Sequence, residues 1–179
     1  IMYDVYTNFL RLFNKLGTRE EFEKLNGPSL YEIIIFLKSK YKLNLEVDEL
    51  ITKYQTMIEE SYINVIPFED SLTILKNLNE KNYKLALVSS STNRIVKNIL
   101  KKLNWSKYFS IIITGDDIKT SKPSPDIYNL CVLRCKTNTK NILVVEDSKN
   151  GYQSAIKAGL KCILIDKNNN LKSIVGMLE

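Results

Sequence analysis

The chain has 179 residues, 44% of them hydrophobic and 26% charged, with a formal net charge of +6 and no histidine. That length allows one domain with a small insert or two modest domains, and the longest apolar runs, such as Ile33-Ile34-Ile35-Phe36-Leu37, are far too short to span a bilayer. The positive excess is carried by lysines dispersed among acidic residues, with no Arg-rich stripe or aromatic stacking motif, which argues against a nucleic-acid partner and leaves a field that attracts anions.

In chain order, Val5, Phe9, Leu12, Phe13 and Leu16 follow a helical spacing, with Gly17 as a natural stop. Arg11 and Lys15 lie inside this amphipathic pattern and not ahead of an apolar run, so no signal peptide is read and a cytoplasmic location is expected. Asn26-Gly27-Pro28-Ser29 reads as a loop whose Ser29 caps the next helix, with Glu32 completing a capping box. That helix carries Leu30, Ile33, Ile34 and Leu37 on one side. Another is expected from about Val47 to Tyr62. Ile63 to Pro67 reads as a connector, because proline disfavours helix in the residue before it. Residues 1–65 therefore read as an all-helical domain.

Residues 66–179 read as a second, α/β domain. Helices over Asp70 to Glu80, Asn93 to Lys102, Pro125 to Cys135 and Gly151 to Ala158 precede, in turn, apolar strands at Lys84–Ser89, Ile111–Thr114, Ile142–Glu146 and Cys162–Ile165. Near-continuous apolar strands separated by helices predict a parallel sheet covered on both faces, with the functional site at the carboxyl ends of the strands. Asn168-Asn169-Asn170 reads as a polar turn. Cys131, Cys135 and Cys162 are expected in the core of a protein from a reducing compartment, since no C-x-x-C pair or histidine accompanies them.

Three segments follow those strands. Ser89-Ser90-Ser91 offers hydroxyls and, at the start of the next helix, backbone N–H groups suited to an anion. Lys122 stands in the stiff loop Ser121-Lys122-Pro123-Ser124-Pro125-Asp126, although a lone loop lysine is ordinarily solvated. Glu146-Asp147 places two carboxylates side by side at a strand end, where a cation or hydrogen-bond donors must offset their repulsion; the plainer reading is helix capping by Asp147 or Ser148. Hydroxyls and an ammonium suit a phosphate, and paired carboxylates suit Mg²⁺. The lack of histidine removes Ser-His-Asp and Cys-His catalysis.

The order and spacing of Ser89, of Lys122 in Ser-Lys-Pro-Ser-Pro-Asp-Ile-Tyr, and of Glu146-Asp147-Ser148 with Gly151 resemble the haloacid dehalogenase superfamily, in its branch with a helical cap. That branch includes phosphoglycolate phosphatase-like enzymes and β-phosphoglucomutase. The resemblance implies a Rossmann-like parallel sheet flanked by helices, with residues 1–65 as the cap. It implies that Ser89 and Lys122 are catalytic and bind the phosphoryl group together with Ser90 and Asn93, that Glu146 and Asp147 hold Mg²⁺, and that Asn26 to Leu30 form a specificity loop. The expected activity is Mg²⁺-dependent hydrolysis of a small phosphorylated metabolite through an aspartyl-phosphate, by a monomer or weak dimer. A phosphomutase and a non-catalytic binding protein on the same fold are the alternatives. The absence of histidine and the presence of only Arg11 and Arg19 as arginines in the cap region lean toward hydrolysis.

One family motif, the Asp-x-Asp that precedes the cap and carries the nucleophile, has no counterpart here; Asp4 lies within a predicted helix with no apolar strand before it. In the family that strand is central, between those ending at Ser89 and Glu146. The expectation is that about 15 to 20 residues bearing it lie outside this sequence, and that residues 1–179 alone are inactive and poorly stable because of open strand edges.

Overall fold

In a computed structural model, which describes residues 2–62, 65–68 and 70–165, the chain divides before Pro67 into the units Ile1–Ile66 and Pro67–Glu179. The first is helical: α1 (Met2–Arg11), α2 (Arg19–Leu25), α3 (Leu30–Tyr41) and α4 (Val47–Ser61). Its core is built from Val5, Tyr6, Phe9 and Leu10 of α1, Ile34 and Leu37 of α3, and Leu50, Tyr54 and Ile58 of α4. The Phe9 and Tyr54 rings meet edge-on with centroids 4.8 Å apart, a favoured aromatic geometry. The Ser29–Glu32 capping box is present, with Ser29 N donating to Glu32 Oε2 at 2.7 Å.

Helix α1 ends earlier than its apolar spacing predicts. Asn14 turns into the left-handed region at φ 55°, Lys15 N donates back to Leu10 O, and Leu12 and Leu16 are exposed. Gly17 serves close approach and not a helix stop: a Cβ there would overlap the Tyr6 ring and hydroxyl. The short helix α2, which the sequence reading does not anticipate, is capped by Thr18, whose hydroxyl accepts from Glu21 N at 3.1 Å. Its Glu21 is buried and accepts from the hydroxyls of Tyr6 and Tyr41 and from Lys40 Nζ, so a buried carboxylate is neutralised as burial demands.

The second unit alternates as expected: α5 (Ser71–Glu80), β1 (Ala86–Val88), α6 (Asn93–Leu103), β2 (Ile111–Ile113), α7 (Asp126–Cys135), β3 (Leu143–Glu146), α8 (Lys149–Lys157) and β4 (Lys161–Leu164). All described pairing is parallel, but it forms two ladders where the sequence predicts one sheet. In the first, Ala86 stands opposite Ile111 and Val88 opposite Ile113; in the second, Leu143 stands opposite Lys161 and Glu146 opposite Leu164. Among the described residues no strand links β1 to β3, which is where the family resemblance puts the first core strand. Coverage is correspondingly incomplete. The strand residues of β1 are half-buried and Val145 of β3 is exposed.

The two ladders nevertheless share a core. Ile127, Tyr128 and Cys131 of α7 cluster with Ile113 of β2, Val144 of β3, Ala155 of α8 and Leu160, and Ala86 and Val88 pack against the same cluster. Cys131 is buried, Cys135 and Cys162 are half-buried, and all three are free thiols. The connector over Ile63 to Pro67 lies partly, and the Asn168–Asn170 turn wholly, outside the described residues. Among the described residues no helix is long and apolar enough to cross a membrane.

Candidate active site

Strand β3 ends on Glu146, and the chain turns at once into α8, with the Ser148 hydroxyl accepting from Gly151 N at 3.0 Å. Capping thus falls to Ser148, which leaves the Asp147 side chain for other work. The turn delivers the Glu146 carboxylate onto the first turn of α8, where the helix dipole favours an anion. Gly151 makes this possible, because a Cβ at that position would overlap all three carboxyl atoms of Glu146.

Lys122 enters from the loop before α7. A solvated loop lysine is the ordinary expectation, but here the side chains of Lys122 and Glu146 are each 6% exposed and form an ion pair through Nζ and Oε1. The same Oε1 accepts from the Tyr128 hydroxyl at 2.6 Å, and Lys122 Nζ sits 5.1 Å from the centre of the Tyr128 ring. Oε2 accepts from Ser148 Oγ at 3.1 Å and Ser148 N at 3.4 Å. Burial alone would raise the Glu146 pKa; the Lys122 ammonium and the Tyr128 and Ser148 donors outweigh it and hold the carboxyl below its usual value. Burial, followed by the Glu146 charge, raises the Tyr128 phenol, so Tyr128 acts as a neutral donor.

Asp147 is exposed as a residue, yet its carboxyl lies in crowded surroundings. Desolvation first, and repulsion from Glu146 second, raise its pKa. A carboxylate in that position gains from a cation. Among the described residues no group of three or more acidic, cysteine or histidine side chains converges on one point. Mg²⁺ does not require such a cage, since it commonly binds through one or two carboxylates and keeps several waters. The donor set is compatible with that mode: Asp147 could hold the ion directly, and Glu146, with both oxygens engaged, could act from the outer shell.

Ser89 follows β1, donating its N–H to Ile113 O at 2.9 Å and accepting from Ser91 N on Oγ at 3.1 Å. Its hydroxyl proton is left for an acceptor such as a phosphoryl oxygen. The start of α6 is less open than the sequence implies, because Asn93 N already donates to Asp116 Oδ2 at 2.8 Å. Gly115 seats this acid, since a Cβ there would overlap Ser90 O. Thr92 Oγ1, at the same turn, is buried with no hydrogen-bond partner among the described residues. The structure therefore joins Lys122 directly to Glu146 and sets Asp147 beside them. The described bonds of Ser89 and Asn93 run within the β1–α6 and β2–α7 connections and not to Lys122.

Sequence reading misses Tyr128 as part of this cluster; its signal is a hydroxyl-bearing aromatic on the buried face of the helix that follows the lysine loop. It also misses Asp116, whose only signal is an acid directly after a glycine at a strand end.

The family model of haloacid dehalogenase-like hydrolases matches residues 2–165. The chain belongs to that family. It is 37% identical over 171 residues to the phosphorylated carbohydrates phosphatase of Thermotoga maritima, an alignment covering 91% of this chain and 76% of that protein. It is 25% identical over 166 residues to the bifunctional riboflavin kinase/FMN phosphatase of Arabidopsis thaliana, covering 92% of this chain and 44% of that protein. Among solved structures, CbbY from Rhodobacter sphaeroides in complex with phosphate superposes with a TM-score of 0.78 at 20% identity, over 91% of this chain and 77% of that one. The fold described above is thus shared with CbbY.

Proposed function

We propose that the full-length protein is a Mg²⁺-dependent phosphatase acting on a small phosphorylated metabolite. The observation that supports this most strongly is the buried Lys122–Glu146 pair with Asp147 adjacent, at the carboxyl end of β3. An ion pair taken out of water is rarely a net stabiliser, so a functional reason for holding an ammonium there carries weight. The phosphatase names of the two curated relatives support the same reading.

In this reading Lys122 draws a phosphoryl oxygen toward its remaining N–H groups and offsets charge as the transferring group loosens, the electrostatic assistance on which phosphoryl transfer depends. Ser89 donates to a second oxygen, while Ser90 and Asn93 shape the approach of the substrate. Asp147, with Glu146 behind it, would hold Mg²⁺, whose chemistry when bound would be to offset phosphoryl charge. Neither acid is assigned as nucleophile in this reading, because Glu146 is bonded to Lys122 and Asp147 would be committed to the cation.

The attacking carboxylate is none of the site residues described above; in this reading it is assigned to an aspartate on a strand between β1 and β3, where the described residues place none. Its oxygen forms the new bond to phosphorus as the bond to the leaving oxygen breaks, and the leaving oxygen takes a proton from an acid. Water then cleaves the acyl phosphate, releasing inorganic phosphate and restoring the carboxylate. The test is a panel of phosphorylated sugars, glycolate and nucleotides assayed on the full-length protein. Mg²⁺-dependent phosphate release from at least one is expected, and binding without turnover of any would favour a non-catalytic role.

A further inference from the structure

The Tyr128 hydroxyl is the one donor to Glu146 that neither charge balance nor helix capping requires. Tyr128 is 3% exposed on the inner face of α7, and its hydroxyl and Lys122 Nζ converge on the single oxygen Oε1. A carboxylate oxygen that accepts a second donor disperses part of its charge. It then holds the ammonium less completely and offers less to a cation. We propose that Tyr128 is a positioning residue of this site: by sharing Glu146 Oε1 with Lys122, its hydroxyl leaves the ammonium available to a phosphoryl group and keeps Glu146 from becoming a direct, tight Mg²⁺ ligand.

This inference rests on the phosphoryl-transfer reading given above and adds a residue that the motif positions Ser89, Lys122, Glu146 and Asp147 do not include. It has a signature that a purely structural role lacks. Loss of packing would weaken every ligand together, whereas loss of the hydroxyl alone moves two affinities in opposite directions. Phenylalanine keeps the ring beneath Lys122 and removes only the donor.

The experiment is calorimetric titration of the full-length protein and its Tyr128→Phe variant, with Mg²⁺ alone and then with inorganic phosphate at saturating Mg²⁺. In Y128F, phosphate should bind about fivefold more weakly and Mg²⁺ about threefold more tightly, in keeping with one hydrogen bond to a charged group shared between two effects. Equal weakening of both ligands, or no change in either, overturns the proposal. Should Y128F fail to fold, 3-fluorotyrosine placed at position 128 provides a stronger donor; phosphate should then tighten and Mg²⁺ weaken, and unchanged affinities overturn the proposal. Wild-type protein that binds neither probe overturns the phosphoryl-transfer reading and this inference with it. Wild-type binding of both with an unchanged variant overturns this inference alone.

Discussion

Replacing Lys122 with methionine keeps most of the side-chain volume and strands the Glu146 carboxylate in a site where both partners are 6% exposed. Removing one member of a buried pair costs about 3–5 kcal/mol. Glu146 retains Tyr128 and Ser148 as donors, and it has one escape, which is to take a proton. From an unfolded value of about 4.3, protonation at about pH 7 costs roughly 3.7 kcal/mol at about 1.36 kcal/mol per unit. That figure caps the loss, so the variant should be about 3 to 3.7 kcal/mol less stable at neutral pH, and its midpoint should fall by roughly 6 to 15 °C.

The cap itself depends on pH. At about pH 5.5 it shrinks to roughly 1.6 kcal/mol by the same arithmetic. In the wild type the sign is opposite: Glu146 has a depressed folded pKa, so its contribution is present above the unfolded value and is lost only as pH falls through the folded one. The gap between the two proteins should therefore narrow from about pH 7 to about pH 5.5. Urea unfolding at several pH values, followed by the single tryptophan Trp105 in the α/β unit, measures it. A gap that stays constant with pH, or one below about 1 kcal/mol at neutral pH, would refute the claim that Glu146 depends on Lys122 for its charge. The double variant K122M/E146Q should show no such pH dependence.

Other outcomes follow from single contacts. Asp147→Asn should weaken Mg²⁺ binding and cut turnover at least about tenfold, because an amide removes a unit of charge from the cation's surroundings; titration with Mg²⁺ checks this. Gly151→Ala should displace the Glu146 carboxyl and lower phosphate affinity while far-ultraviolet circular dichroism shows the helices retained, since alanine is otherwise favoured within a helix. Gly17→Ala should destabilise the helical unit by about 1–3 kcal/mol, the usual cost of overpacking, because its methyl overlaps the buried Tyr6; differential scanning calorimetry reads the shift.

The α/β alternation was legible because short apolar runs and helical spacings follow one another throughout the second unit, and the Ser29–Glu32 box was written plainly in the sequence. Helix α1 was overextended because Leu12 and Leu16 match the helical spacing but point to solvent, and spacing alone does not show that Asn14 turns left-handed. Lys122, Glu146 and Asp147 were legible as chemistry. Their arrangement was not, since the pairing of Lys122 with Glu146 spans 24 positions and depends on α7 packing against the core beneath both strand ladders. For the same reason Gly151 could be flagged as a motif position but not explained: its meaning is the carboxylate lying over it. The single predicted sheet became two ladders because no described strand lies between β1 and β3, a relation that local patterns do not contain.

The proposed assignment of Lys122, Glu146 and Asp147 to a Mg²⁺-assisted phosphoryl-transfer site stands on the buried ion pair. Its most direct test is inorganic phosphate release from phosphorylated sugars by full-length protein, measured with Mg²⁺ and with the metal chelated, beside K122M at a temperature where both are folded. Turnover should require Mg²⁺ and fall at least about a hundredfold without the lysine, in line with removal of an electrostatic stabiliser. Turnover that survives both chelation and loss of Lys122 would contradict the assignment.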